Sequence, residues 1–424
     1  MDIVVNPPRG SWQSLCIRPS DENGTVRGRV EKIISRVRED GDRALQELAR
    51  EIDGFVPGSF EVGAKEIEDA CASVDDRLKT AIKDAAANIR AFHEAQMPRQ
   101  IEVDTAPGVR CIQKPVAIGK VGLYIPGGTA PLFSTVLMLA IPAKIAGCRE
   151  TVLCTPCGKD GKIAPAVLYA ASFCGIDRIF RIGGAQAVAA MAFGTESVPK
   201  VDKIFGPGNQ YVTAAKQMLG GRQVAIDMPA GPSEVMVIVD RNSNPAFAAA
   251  DLLSQAEHGR DSQVILLSTD ASVADAISGE VERQVEVLGR VEMAKAALSR
   301  SHFIVLENED DIIDFANMYA PEHLIISTEN PWPIADRITA AGSVFVGEYT
   351  PESAGDYASG TNHTLPTSGW AHSYSGVNID SYMRKMTIQE ISREGIAALA
   401  PTIVAMADAE GLQAHANAAK IRTE

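Results

Sequence analysis

Apolar positions follow two rhythms along the chain. Between Thr25 and Pro98 they recur at helical spacing: Val26, Val30, Ile33, Ile34 and Val37 share one face, and Leu78, Ile82, Ala85, Ile89 and Phe92 repeat the period. Gly41 and Gly54 punctuate that stretch. From about Ile118 the rhythm shortens to β-branched runs leading into glycine turns, "VGLYIPGG", "ETVLCTP", "IDRIFRIGG" and "KVDKIFGPGN", with Ala-rich helical runs between them. That alternation predicts a parallel sheet covered on both faces. After the Pro/Gly junction "DMPAGPS" (227–233) it restarts with "EVMVIVD", "SQVILLST", "HFIVLE", "HLIIST" and "SVFVG".

The expected fold class is therefore α/β, with two Rossmann-like doubly wound units, a helical N-terminal segment and a small helical C-terminal segment. We divide the chain into 1–117 (helical), 118–230 (first α/β unit), 231–350 (second α/β unit) and 351–424. The last part opens on a Gly/Ser/Thr/Asn-rich stretch, "EYTPESAGDYASGTNHTLPTSGWAHSYSG". A loop of about 30 residues without periodicity is uncommon in a compact domain and is usually functional or disordered. The chain then ends in helices, expected over roughly Thr387 to Arg422.

Length and charge narrow the partners. A chain of 424 residues exceeds one compact core. Forty Lys plus Arg against 54 Asp plus Glu leave a net charge of -14, which repels phosphate backbones and anionic lipid. The start, "MDIVVNPPRGSW", carries no basic region ahead of an apolar stretch. The most apolar run, Leu132 to Ala143, falls short of the ~20 residues that cross a bilayer. A soluble, cytoplasmic protein that binds neither nucleic acid nor membrane is expected. Seven cysteines between Cys16 and Cys174, an odd number, form no disulfide framework.

Candidate chemistry gathers in the second half. Asn244-Pro245 is a helix start and Gly259 a natural stop, so Gln255 and His258, three residues apart, are expected on one face of the last turn. An imidazole there could instead satisfy the helix's terminal carbonyls. Asp356, Glu322-His323 and His415 are further candidates. His, Asp and an amide oxygen suit a borderline cation such as Zn²⁺, in a site left open to substrate. Glu322 and His323 precede the strand "LIIST", where a carboxylate and an imidazole could activate water and accept a proton; a solvated loop with an incidental His is the alternative. His93 and His302 are expected to be structural.

No G-x-G-x-x-G stands at a strand-to-helix turn, so the dinucleotide fingerprint is missing. Yet "IPGGTAP", "GGAQA" and "FGPGNQY" are glycine turns after three strands of the first unit, where ligands bind beyond the carboxyl ends. Tight connections alone would also select glycine. Cys154-x-x-Cys157 lacks a partner pair, and Cys154 alternates with apolar residues of a buried strand, so neither a metal clip nor a redox dithiol is expected.

These segments together resemble the histidinol dehydrogenase family: "VGLYIPGGTAPLFSTVLMLAIPAKIAGC", "GGAQAVAAMAFGTESVPKVDKIFGPGN", "DMPAGPSEV", "DLLSQAEHGRDSQVILL", "PEHLII", "SVFVGEYTPESAGDYASGTNHTLPTSG" and "EGLQAHANAAKIR", in order over 121–422. The resemblance implies a zinc-dependent oxidation of L-histidinol through L-histidinal to L-histidine with two NAD⁺, the last steps of histidine synthesis. It implies zinc ligands at Gln255, His258, Asp356 and His415, and a catalytic pair at Glu322 and His323. Substrate contacts would fall on these ligands, His323, Ser233 and Glu410, and NAD contacts on Tyr124, Gln186 and Asn209. A homodimer with shared sites is implied, Glu410 and His415 completing the neighbour's centre. Trp370 stands where relatives often carry tyrosine, and His372 is an imidazole outside the shared pattern. The alternatives are a same-fold NAD-dependent dehydrogenase for another amino or sulfonated alcohol, and a non-catalytic small-molecule binder of two lobes. The Glu322-His323 pair and the absent export signal speak against the binder.

Overall fold

The computed structural model describes residues 3–18, 25–127, 131–176, 178–229 and 231–424. Its strands are β1 (Ile3–Val5), β2 (Ile101–Ala106), β3 (Val109–Ala117), β4 (Lys120–Tyr124), β5 (Glu150–Thr155), β6 (Arg178–Arg181) and β7 (Lys203–Phe205). They continue with β8 (Ala225–Ile226), β9 (Glu234–Val239), β10 (Gln263–Ser268), β11 (His302–Val305), β12 (His323–Ser327), β13 (Ser343–Val346) and β14 (Met383–Ile391). Two parallel sheets carry the fold, in the orders β6-β5-β4-β7-β8 and β1-β11-β10-β9-β12-β13. Both follow one plan: the chain builds outward to one side of the first strand, then returns to its other side. The order thus reverses between β4 and β7 in the first sheet and between β9 and β12 in the second.

Burial on both sheet faces explains the unbroken apolar runs. In β9, Val235, Val237 and Val239 point into one core and Met236 and Ile238 into another. β10 divides in the same way, Val264 and Leu266 against Ile265 and Leu267. The most apolar run of the sequence becomes the helix Phe133–Ala146, buried nearly all round against the first sheet. Among the described residues no helix is long and apolar enough to cross a membrane.

Several elements differ from the sequence reading. β1, at the chain's start, extends the second sheet by pairing with β11. Within the stretch read as helical up to residue 117, β2 and β3 form a hairpin, and β14 adds to it, so Thr387–Ile391 is strand where helix was expected. The last two helices are Arg393–Ala409 and Gln413–Lys420. β2 and β14 are exposed along nearly their whole length, so neither carries the one-sided alternation that marks a strand on a core. The Gly/Ser-rich stretch is ordered: it contains the helix Glu352–Tyr357 and buries Asn362, Thr364, Leu365 and Thr367.

Candidate functional site

The second sheet's site lies at the amino ends of its strands, where the order reverses. Glu234 opens β9 and His323 opens the adjacent β12, both buried. The helix Pro245–Ala256 brings the chain back to that end. Asn244 caps it as expected, its side chain accepting from the Ala246 amide at 3.0 Å. The helix ends at Ala256, so His258 sits in the turn beyond it rather than in the last turn, its amide donating to the Gln255 carbonyl at 3.2 Å. His258 is exposed, so the site opens to solvent on that side.

Glu234 organises the interior through its main chain. Its amide donates to Glu322 Oε2 at 2.9 Å, and its carbonyl accepts from Gln255 Nε2 at 3.0 Å and lies 3.1 Å from His323 Nδ1. Its own carboxylate is held by Arg18, with Nε–Oε1 at 2.6 Å and Nη2–Oε2 at 3.1 Å, and by the Ser368 amide at 2.8 Å. Arg18 also donates to the Tyr319 carbonyl at 2.6 Å and stacks over its ring, while Tyr319 Oη donates to Gln263 at 2.7 Å. The ion pair and its hydrogen bonds thus brace the two peptide groups flanking Glu234, one holding Glu322 and the other meeting Gln255 and His323.

Burial sets the electrostatics. It pushes the Glu322 carboxyl well above the usual carboxylate range against the opposing Glu234 amide, making Glu322 a stronger proton acceptor than a solvated glutamate. It pulls His323 down to about 4, so the ring is neutral near pH 7. The 3.6 Å approach of His323 Nδ1 to Glu322 Oε2 is therefore not an ion pair. Glu352 is likewise raised well above its ordinary range by burial and then by the charges of Asp356 and Glu322.

Asp356 comes to this cluster from the helix Glu352–Tyr357, with Oδ1 3.8 Å from His323 Nε2. Ligating atoms of His258, Glu352 and Asp356 all lie within 4.8 Å of one another. Gln255 Oε1, His323 Nε2 and Glu352 Oε2 are buried without a hydrogen-bond partner. Orphaned acceptors beside crowded carboxylates suit a bound cation, and imidazole, carboxylate and amide donors match a borderline metal. Ser233 stands in the turn before β9, its carbonyl accepting from the Gln263 amide at 3.1 Å. Glu410 and His415 are exposed on the C-terminal arm, and His415 is not in the 4.8 Å group within one chain.

The first sheet's candidates lie at carboxyl ends, again at the point of reversal. Tyr124 ends β4, and its hydroxyl accepts from the Gly184 amide at 3.0 Å. Gln186 is buried at the start of the helix Gly184–Phe193. Asn209 follows β7 and caps the helix Gln210–Leu219, accepting from the amides of Tyr211 and Val212 at 3.0 and 3.2 Å. Beneath this turn a buried ion pair, Lys216–Asp227 at 2.5 Å, holds both sides of Gly206: Lys216 donates to its carbonyl and its amide donates to Asp227, each at 2.8 Å. Gly206 has φ +124, and a Cβ there would run into the Tyr124 carbonyl. Gly206→Ala should cost about 1–3 kcal/mol, visible as a lower midpoint in thermal unfolding; an unchanged midpoint would show that the turn can relax.

The two ends meet. Thr135, in the first turn of the helix leaving β4, lies 3.2 Å from His363 Nε2, and His363 Nδ1 lies 3.0 Å from the Asp356 carbonyl. His363, Glu352, Glu234 and Arg18 were not singled out by sequence reasoning. Glu352 had a legible signal, standing four residues before Asp356. A carboxylate heading an apolar strand pointed to Glu234, but nothing along the chain connects it to Arg18, 216 residues away. Cys154 is buried in β5 as expected, and burial raises its thiol pKa.

Two doubly wound sheets, one followed by glycine turns and the other headed by a buried carboxylate–imidazole cluster, define an α/β enzyme. The histidinol dehydrogenase family model matches residues 16–423. A histidinol dehydrogenase from Bacteroides fragilis (strain YCH46) is 54% identical over 424 residues, covering 100% of this chain and 99% of the relative. One from Vibrio parahaemolyticus serotype O3:K6 is 51% identical, covering 97% of each. The crystal structure of histidinol dehydrogenase from Elizabethkingia anophelis superposes with a TM-score of 0.96 at 50% identity, covering 100% of this chain and 98% of that one. The chain belongs to the histidinol dehydrogenase family.

Proposed function

We propose that this protein oxidises L-histidinol through L-histidinal to L-histidine in the cytoplasm, with NAD⁺ and a zinc ion, at the cleft between its two α/β units. The observation that carries this reading is the buried, neutral His323 with Nε2 unpartnered and 3.8 Å from Asp356 Oδ1, its Nδ1 side approached by Gln255 Nε2 and Glu352 Oε1, two residues that each keep an oxygen without a donor. In the proposed division, 118–230 binds the cofactor through Tyr124, Gln186 and Asn209. Residues 231–350 carry Ser233, Gln255, His258, Glu322 and His323, and 351–424 supplies Asp356 and the arm.

When bound, NAD⁺ would supply a hydride acceptor and zinc an electrostatic anchor for the substrate. The protein's own part is proton handling and position. With Nδ1–H donating to the Glu234 carbonyl, His323 keeps a lone pair on Nε2 to take the alcohol proton as hydride leaves carbon. Glu322, fixed through Oε2 by the Glu234 amide, removes a proton from the water that adds to the aldehyde; the hydrate then loses a hydride to a second NAD⁺ and a hydroxyl proton to His323, which has returned its first proton to solvent, to give the acid. Gln255, His258, Asp356 and the His415 of a second copy would hold the metal, and Glu410 of that copy would contact substrate.

The dimer this requires is supported by the arm. β14 and the helix Arg393–Ala409 leave Met386, Ile388 and Met406 exposed, an apolar surface that a second copy would cover. In a zinc-replete assay two NADH should form per histidinol consumed. One NADH, or faster turnover of another amino or sulfonated alcohol, would instead favour the related-substrate reading.

A further inference from the structure

Glu352 and Asp356 stand four residues apart on the helix Glu352–Tyr357, so both carboxylates leave one face of it. They converge with His258, all three ligating atoms lying within 4.8 Å of one another. Glu352 is 1% exposed, and its Oε2 finds no donor; Gln255 Oε1 is likewise buried without one. An ionised carboxylate buried with an oxygen lacking a donor and crowded by other acidic groups is unfavourable unless a cation is held there. One chain thus brings together three donors, an imidazole and two carboxylates, and the amide oxygen of Gln255 is the fourth in the zinc reading above. That number satisfies a tetrahedral metal without the exposed His415.

We infer that Glu352 is a metal ligand in the chain's own half of the site, so that a single subunit takes up the cation before His415 of a second copy is in place. This rests on the zinc reading above and adds a donor to it. Arrival of His415 would then release Glu352 and leave a coordination position for substrate. Metal loading and completion of the shared site become separate events.

The test measures zinc affinity of the full-length protein by competition with a chromophoric chelator, and the visible spectrum of the Co²⁺ form. His415→Ala should still bind one zinc per subunit, more weakly than the unaltered protein. Glu352→Gln combined with His415→Ala should bind at least about tenfold more weakly than His415→Ala alone, and its cobalt bands should change. Glu352→Asp in the same background, which keeps the carboxylate, should recover part of the loss. Equal affinity and identical cobalt spectra for His415→Ala with and without Glu352→Gln would overturn the inference while leaving the zinc reading intact. Undiminished binding in His258→Ala would overturn the zinc reading itself, and this inference with it.

Discussion

His323→Asn should lower kcat about 10³-fold for both oxidations and leave KM within a few-fold of the unaltered enzyme. Asparagine retains an N–H able to reach the Glu234 carbonyl, 3.1 Å from His323 Nδ1, so the head of β12 stays in place. What disappears is the lone pair on Nε2, the buried nitrogen without a protein partner. General base catalysis by a positioned side chain contributes about 10²–10⁴-fold, or about 3–5 kcal/mol of barrier. Steady-state kinetics with histidinol and with histidinal separate the steps. A fall of less than tenfold, or a loss carried by KM, would mean that His323 positions substrate and another group takes the proton.

Arg18→Ala should have the largest effect on stability, although Arg18 lies outside every recognisable motif. Glu234 is 2% exposed, and without Arg18 its carboxylate keeps backbone partners such as the Ser368 amide but loses its cation. Burial already raises the Glu234 pKa, and Arg18 is the chief influence lowering it. Removing one partner of a buried pair costs about 3–5 kcal/mol because the remaining charge is left uncompensated. Activity should fall as well, since the Glu234 amide holds Glu322 and the Glu234 carbonyl faces His323. Arg18→Ala with Glu234→Gln removes both charges and should recover much of the unfolding midpoint. A midpoint unchanged in Arg18→Ala, or no recovery in the double variant, would show that water or the protein's own relaxation replaces the pair.

Legibility followed burial. Apart from the short edge strands β1 and β8, the strands of both parallel sheets were readable because each face packs on a core, as in β9, where Val235, Val237 and Val239 serve one side and Met236 and Ile238 the other. Asn244 was readable as a cap because capping is local. β14 was not, because its partner β3 lies more than 250 residues earlier and neither face of β14 meets a core. In the site, Glu322 and His323 stood out as neighbours, whereas Glu352 and His363 passed as polar residues of a glycine-rich stretch. Their meaning comes from what they meet: His258 for one, Thr135 for the other.

By itself the sequence determined the two α/β units, their glycine turns, and a family pattern dense enough to number the expected ligands, because periodicity and local motifs are properties of neighbouring residues. Only the tertiary structure decided that the second unit's carboxylate–imidazole cluster gathers at the amino ends of its strands, that Arg18 braces Glu234 across 216 positions, and that Glu352 joins His258 and Asp356. Those outcomes depend on how two sheets face one another and where a charge loses its water, and both are set by packing between segments remote along the chain.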